Sequence, residues 1–426
     1  MTTITYQCPC CGAPLAYSAK SGKLECASCG NDFELDALEA MNAQSESTVK
    51  FEKPTETIED AQGVQGYICQ NCGANLLTEE TTTATECPYC GSPIILSDHV
   101  AEGILPQKVV PFKVTKQEAQ GEFENYFKGK RLIPNIFLNG RNRIADMRKL
   151  YVPYWLYDCD AHADMVYDAE KRRTTRDGDW EIETTEHWVV RRSGDLGFEN
   201  IPVDSSVKMD NKITESIEPY DLAEAVDFET AVLSGALADN ADADEQECEQ
   251  RATERVKNSI AAAMRSTVNG YSIVTERSRA IVSRHGKATP VLLPVWMITT
   301  EKEGKTYTFA INGQTGRLTC DVPTAKGKAF GWGFGIFAGV FALEAMILYF
   351  MEMMESSAML MAAVLAMVIA LVIVSGMIGK LKQAASQSEA KVYVREGSFD
   401  VQVSRDTYMY ETTQRRRIEK SEDDKK

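Results

Sequence analysis

Histidine is scarce in this chain of 426 residues, which has four. That leaves little imidazole for a catalytic metal centre or for general-base work. Basic residues are outnumbered as well: 46 Lys and Arg stand against 62 Asp and Glu, a net charge of −16. Such a balance argues against a chain that neutralises phosphates over its whole surface. No Gly-x-x-x-x-Gly-Lys-Ser/Thr loop occurs, so the phosphate cradle of helicases and P-loop ATPases is missing. Nor is there a Ser-His-Asp spacing, a nucleophile elbow or a zincin motif. No secretory leader is read at Met1-Thr2-Thr3-Ile4, which favours a reducing compartment over a disulfide framework. These absences point away from an enzyme.

Cysteine is present in a confined pattern. Cys8-Pro9-Cys10-Cys11-Gly12 is followed by Cys26-Ala27-Ser28-Cys29-Gly30, and 61 residues on, Cys69-Gln70-Asn71-Cys72-Gly73 is followed by Cys87-Pro88-Tyr89-Cys90-Gly91. In both copies 14 residues separate the two Cys pairs, and Tyr6/Tyr67, Ala13/Ala74, Leu15/Leu76 and Glu25/Glu86 agree in the flanks. The chain therefore carries an internal duplication. A Cys-x-x-Cys-Gly turn aims two thiolates at one point, with glycine supplying the positive φ that the turn needs. Two such turns close a tetrahedral S₄ shell, which favours Zn²⁺ in a structural site. The expectation is two structural zinc sites, Cys8/Cys11/Cys26/Cys29 and Cys69/Cys72/Cys87/Cys90, each folding a small β ribbon (1–33 and 67–100). Iron is the alternative, because Cys87-Pro88-Tyr89-Cys90-Gly91 also resembles a rubredoxin turn. Cys10 reads as a spare thiol or an exchanging ligand, and Cys159, Cys248 and Cys320 as inert.

Between the ribbons, 34–66 reads as an acidic, mobile linker, with a short helix at 36–41 that puts Leu35, Leu38 and Met41 on one face. Residues 104–325 read as one α+β domain. Val109 to Val114 is an expected strand, and Thr115-Lys116-Gln117-Glu118 is a capping box that opens a helix through Phe127, stopped by Gly129. Lys128, Lys130, Arg131, Arg141, Arg143, Arg148 and Lys149 make the most basic soluble stretch. It is either a solvated face or a patch for an acidic partner or lipid headgroups. Beyond Tyr151, Cys159, Ala161, Ala163 and Met165 alternate with Asp158, Asp160, His162 and Asp164. A strand would place the latter on one face, either solvated or able to hold a hard cation. Asp177-Gly178-Asp179 is a turn, with returning strands from Trp180 to Arg192.

Residues Ile213 to Gln250 hold twelve acids and no Lys or Arg. Helices are expected at 223–237 and 244–264, with an acidic side that faces away from any membrane. Strands are expected at 272–274, 280–284, 291–299 and 306–311, and Asn312-Gly313 turns into Arg317-Leu318-Thr319-Cys320.

Two long apolar runs follow, 329–351 and 358–379. The second, 22 residues without a charge, spans about 33 Å as a helix, enough for a hydrocarbon core of about 30 Å. The short gap between them makes a two-helix transmembrane hairpin. Lys326, Lys328, Lys380 and Lys382 flank the pair, while Glu352 and Glu355 lie in its loop. The positive-inside rule then places a multi-pass protein in the cell membrane with both termini cytoplasmic. Gly331, Gly335 and Gly339 form a small-residue stripe for close helix packing, opposed by Ala362, Ala366 and Ala370, and a route to homo-oligomers. Glu344 is an intramembrane acid, read as interfacial or hydrogen-bonding between helices, or as the centre of a small transporter or sensor. From 390 to 426 come C-terminal strands around Gly397, then Arg415-Arg416-Arg417 and a charged tail.

The doubled cysteine motif, the Tyr151–Leu156 strand entry, the Leu293–Met297 strand with Asn312-Gly313-Gln314-Thr315-Gly316, and the terminal hairpin together resemble a bacterial family of membrane proteins. That family carries a TFIIB-type zinc ribbon and is often labelled primosomal or replication-restart helicase-like from the ribbon alone. The resemblance implies no reaction to carry over. Similar proteins are linked with phage-shock-type envelope stress, which implies recruitment of a cytoplasmic protein to the membrane. Nucleic-acid work is the competing reading. It sits poorly with a second ribbon, Tyr67 to Leu96, that has no Lys or Arg.

Overall fold

The computed structural model describes residues 6–18, 21–42, 47–54, 64–79, 84–90, 92–95, 104–134, 147–233, 236–302, 305–320, 324–351, 355–379 and 386–417. The first cysteine repeat forms a small antiparallel sheet of β1 (Ala16–Ser18), β2 (Lys23–Glu25) and β3 (Asp32–Phe33). Helix α1 (Leu35–Asn42) follows, close to the expected bounds. Strand β4 (Ser47–Thr48) comes next. The second repeat pairs β5 (Val64–Ile68) with β6 (Asn75–Glu79), and β7 (Ala84–Glu86) with β8 (Pro93–Ile95).

Strand β9 (Lys108–Val109) is shorter than expected. Val110 still donates to the Leu292 carbonyl, but Pro111 has no N–H with which to extend a ladder. Helix α2 (Lys116–Phe127) opens on the expected capping box, with the Thr115 hydroxyl accepting from the Glu118 amide and the Glu118 carboxylate accepting from the Thr115 amide. Gly129, at φ 77°, ends it.

The centre of the protein is built from strands far longer than the sequence implied. Strand β10 (Arg148–Asp177) and strand β11 (Trp180–Asp204) form a hairpin that turns at Gly178-Asp179. After β11 come α3 (Asn211–Ser216) and two short strands, β12 (Val226–Asp227) and β13 (Leu237–Asp239). Helix α4 (Glu245–Ser266), capped by Asp244, leads to strand β14 (Ile273–Lys302), then β15 (Lys305–Asn312) and β16 (Leu318–Cys320). At 3.2–3.4 Å per residue, the 30 residues of β10 extend on the order of 100 Å. Register shifts near Tyr157/Cys159, Asp158/Asp160 and Val166/Tyr167 interrupt the ladders, and bulges of this kind let long strands twist.

Three expected segments fuse into β14. Two residues in the gap between the second and third of those segments are accommodated: Pro290 pairs with Trp155, and Gly286 is passed so closely that an added Cβ would collide with the Lys50 carbonyl. Residues 47–54 therefore lie on the sheet as a strap. Glu52 donates its amide to the Gly286 carbonyl, and the Phe51 ring meets Tyr157 edge-on at 4.7 Å. This part of the expected mobile linker is seated; residues 55–63 lie outside the described set. The expected helix at 223–237 is also corrected. The segment contains the 3₁₀ turns Leu222–Glu224 and Thr230–Leu233, because β12 pairs with β9 and β13 pairs with both β10 and β6.

Alternation along β10 decides where the core lies. Cys159, Ala161, Ala163 and Met165 are buried, and α4 lays Cys248, Ala252, Val256, Ile260 and Met264 over them at four-residue spacing. Each fully buried aliphatic side chain contributes roughly 1.5–3 kcal/mol.

Helices α5 (Lys326–Phe350) and α6 (Ser356–Gly379) are each long and apolar enough to cross a membrane. Ala362, Ala366 and Ala370 are buried between them, as expected, but the glycine stripe is not. Gly331, Gly335 and Gly339 face outward, where an added Cβ would meet nothing within 4 Å among the described residues. A Cβ on Gly333 would instead meet Val374 at 3.6 Å. The phase of the helix brings this other glycine to the seam. After α6 a 3₁₀ turn, Lys391–Tyr393, precedes strand β17 (Asp400–Arg417), which pairs along β11. The long strands thus run in the order β17-β11-β10-β14. Arg415, Arg416 and Arg417 stand opposite Ile182, Glu181 and Trp180, so the arginine run is the end of a strand.

Candidate metal centres

Each cysteine turn repeats one hydrogen-bond pattern. The amides of Cys8, Cys26, Cys69 and Cys87 donate to the carbonyls of Ala13, Asn31, Ala74 and Ser92. The amides of Gly12, Gly30 and Gly73 donate to the carbonyls of Cys8, Cys26 and Cys69, with φ between 69° and 75°. The duplication seen in the sequence is thus a duplication of backbone geometry.

Both sets of four cysteines converge. In each set, one ligand atom per residue lies within 4.8 Å of all the others. Cys8 and Cys29 sulfurs are 3.5 Å apart, and Cys11 and Cys26 sulfurs 3.6 Å. In the second set Cys69 and Cys90 are 3.8 Å apart, and Cys72 and Cys87 3.6 Å. A tetrahedral site with metal–sulfur bonds of about 2.3 Å puts its sulfurs about 3.8 Å apart, so both sets fit a bound metal ion. One thiol in each is tuned toward the thiolate. Backbone N–H groups of Cys29 and Ser28 bring Cys26 down to about 6. Burial acts to raise Cys90, but hydrogen bonds from Ser92 and Asn71 outweigh it and hold that thiol at about 6.

The two centres differ in exposure. In the first, Cys11 and Cys29 are exposed, and so is Cys10 beside them. The Asn31 amide reaches both Cys10 (3.3 Å) and Cys29 (3.5 Å). In the second, Cys69 and Cys87 are buried, Cys72 half-buried and Cys90 exposed.

Both centres are docked on the long sheet. Leu24, Phe33, Ala37 and Leu38 of the first pack on Val166, Val189 and Met409. Arg405 of β17 binds Asp36 at 2.7 Å and Glu34 at 2.8 Å. The second is held more deeply. Lys208 donates to the Cys72 carbonyl at 2.6 Å, and Arg148 donates to the Cys87 carbonyl and to Glu86 at 2.9 Å. Tyr89, inside the Cys87–Cys90 turn, donates to Asp239 at 2.5 Å, and Ser206 donates to the same oxygen. Burial pushes the Asp239 carboxyl up to about 7 against those bonds. The sequence singled out neither Lys208 nor the Tyr89–Asp239 pair. Arg148 was visible in the basic stretch, and one acidic partner it meets is this chain's own Glu86.

The other candidate residues separate from the metal chemistry. The face of Asp158, Asp160, His162 and Asp164 is cross-linked by protein groups. Asp158 accepts from the Asn200 amide, Asp160 from Arg395 and Asp164 from Arg191, while His162 Nδ1 lies 2.7 Å from Asp195. Cys159, Cys248 and Cys320 are buried singly in the core. Glu344 sits half-buried on α5, its Oε2 enclosed without a hydrogen-bond partner among the described residues.

Fold and centres together define a multidomain α+β protein with two four-cysteine clusters able to hold metal ions and two helices able to span a membrane. Over 338 residues the chain is 33% identical to YdjG, an uncharacterized protein of Bacillus subtilis (strain 168), covering 79% of this chain and 95% of that protein. It belongs to the same family. No family model matches the chain, and neither does any solved structure.

Proposed function

We propose that this protein is a membrane-anchored scaffold that recruits a cytoplasmic protein partner through its first zinc ribbon. Zinc fills both Cys₄ centres and fixes the ribbon folds. The hairpin of α5 and α6 spans the membrane, with both termini on the cytoplasmic side. The carrying observation is the unequal docking of the two repeats. The second ribbon is engaged by Arg148, Lys208 and Asp239 of its own chain. On the first, Tyr17 is 62% exposed, and Cys10, Cys11 and Cys29 are exposed as well. Binding suits such a small rigid surface better than turnover does.

The test is affinity capture from solubilised membranes with the intact chain and with Tyr17→Asp, both checked for metal content. Loss of one co-purifying protein from the variant supports recruitment, and an unchanged set of partners rejects it. A nucleic-acid role finds little support: Arg148 and Lys208, the cations beside the second centre, already bind backbone carbonyls. Salt-dependent binding of the intact chain to DNA would restore that alternative.

A further inference from the structure

Cations gather where the soluble part meets the helix pair. Residues 125–145 contain five Lys and Arg and no acid, in a chain of net charge −16. Three of the five, Lys128, Lys130 and Arg131, follow α2 directly, and the segment from Arg131 to Ile133 lies against the start of α5. The Arg131 guanidinium stacks 4.6 Å from the Trp332 ring centroid, Lys328 donates to the Ile133 carbonyl at 2.7 Å, and the Ala325 amide donates to the Leu132 carbonyl. Lys128 is held by the Asn125 side chain at 2.7 Å, and the Lys130 ammonium lies 2.9 Å from the Tyr126 ring centroid. Lys128, Arg131 and Lys326 are exposed. Ala329 and Met377 pack in one cluster with Phe123 and Phe309, so α6 ends at this same level, and Lys380 and Lys382 follow it in sequence.

We propose that this corner binds the phosphate of an anionic phospholipid headgroup, between Lys128, Lys130 and Arg131 on one side and Lys326 and Lys328 on the other. The proposal rests on the membrane-spanning reading of α5 and α6. A guanidinium held over an aromatic ring is pre-oriented, and its fork matches two phosphate oxygens, while ammonium groups add point charge. Tryptophan is favoured at the headgroup level, which places Trp332 and its stacked Arg131 at the depth of a lipid phosphate. Partners that already fix four of the five cations lower the entropy lost when a ligand binds. The loop end of the hairpin carries Glu352 and Glu355 instead, so the preference belongs to one leaflet.

The experiment titrates the detergent-purified full chain with short-chain phosphatidylglycerol, phosphatidylcholine or inorganic phosphate, reading Trp332 fluorescence against a Trp332→Phe control. Phosphatidylglycerol is expected to saturate the signal and phosphatidylcholine to leave it flat. The triple variant Lys128→Gln/Arg131→Gln/Lys326→Gln should bind at least tenfold more weakly, since each cation near an anionic surface is worth about fivefold. Lys128→Gln/Lys326→Gln, which keeps the Arg131–Trp332 stack, should show an intermediate loss. Equal responses to the two lipids, unchanged titration of the triple variant, or saturation by inorganic phosphate at the same concentration would each overturn the proposal. Release of the chain from cell membranes by an alkaline wash would instead remove the membrane reading beneath it.

Discussion

Tyr89 and Asp239, 150 residues apart, share a 2.5 Å hydrogen bond that joins the second cysteine centre to the sheet. Asp239 is wholly buried on β13, and burial lifts its carboxyl to about 7, well above the value of about 3.9 for a free aspartate. Between those values the folded chain keeps a proton that the unfolded chain has released. The contribution of this group to stability therefore falls as pH rises through the window, and levels off above about 7. Asp239→Asn removes the titration. The unfolding free energy of the variant minus that of the parent should climb with pH, by up to about 1.4 kcal/mol per unit. Urea unfolding of metal-loaded protein from pH 5.5 to 7.5 reads this slope directly, and parallel curves for the two proteins would refute it.

How far the sequence reached is clearest at particular residues. The eight converging cysteines were legible because Cys-x-x-Cys-Gly encodes its own turn, with local amide–carbonyl bonds and a positive-φ glycine. The α2 capping box and α4 were legible for the same reason, since caps and four-residue periodicity are local. Fusion of three segments into β14 was not. Gly286 and Pro290 fall in the gap left between two expected strands, yet each is suited to its place in the sheet by a neighbour more than a hundred residues away, Lys50 and Trp155. The docking of the second centre was hidden too. Arg148 and Lys208 bind backbone carbonyls, which leave no mark in side-chain patterns.

Unequal exposure of the two centres should appear as unequal metal exchange. On the zinc reading, the purified chain holds two ions. A chromogenic chelator should withdraw the first faster, because Cys11 and Cys29 are exposed while the second centre is clamped by Arg148, Lys208 and Tyr89. Cys69→Ser should lower the zinc content to one per chain, and Cys10→Ser should leave it at two. Structural zinc typically contributes about 10–16 kcal/mol of apparent binding free energy, so either missing ion should unfold its repeat. A single-phase release, or first release from the second centre, would contradict this picture.

The two small-residue stripes of the helix pair should behave differently when filled. Ala366 is fully buried in the seam, whereas Gly335 faces outward. Ala366→Leu overpacks the interface and should destabilise the pair by roughly 1–3 kcal/mol. Gly335→Leu should leave the pair intact and weaken any association between copies that uses the glycine face. Thermal unfolding in detergent measures the first effect, and cross-linking in membranes the second. If Gly335→Leu destabilised the pair as much as Ala366→Leu, the assignment of faces would be wrong.

Arg255 on α4 and Glu218 are each 2% exposed and bound at 2.7 Å. Arg255 also donates to the Pro202 carbonyl at 2.7 Å, and Glu218 accepts from the Tyr393 hydroxyl at 2.9 Å. Burial pushes the Glu218 carboxyl upward while the guanidinium opposes it, so the ion pair survives only as a unit. Removing one partner leaves a buried charge alone, and Glu218→Gln or Arg255→Met should each cost about 3–5 kcal/mol. The double variant Glu218→Leu/Arg255→Met removes both charges and should cost clearly less than the sum of the single losses. Tyr393 adds a signature beyond stability. It lies in the segment that returns from α6, where Ala390 donates to the Ser259 hydroxyl and Gln387 to the Glu215 carboxylate. Glu218→Gln should therefore raise amide hydrogen exchange across residues 386–394 before the long sheet is affected. Unchanged exchange there, or a single substitution that costs under about 0.5 kcal/mol, would show that this buried pair does not hold the return segment in place.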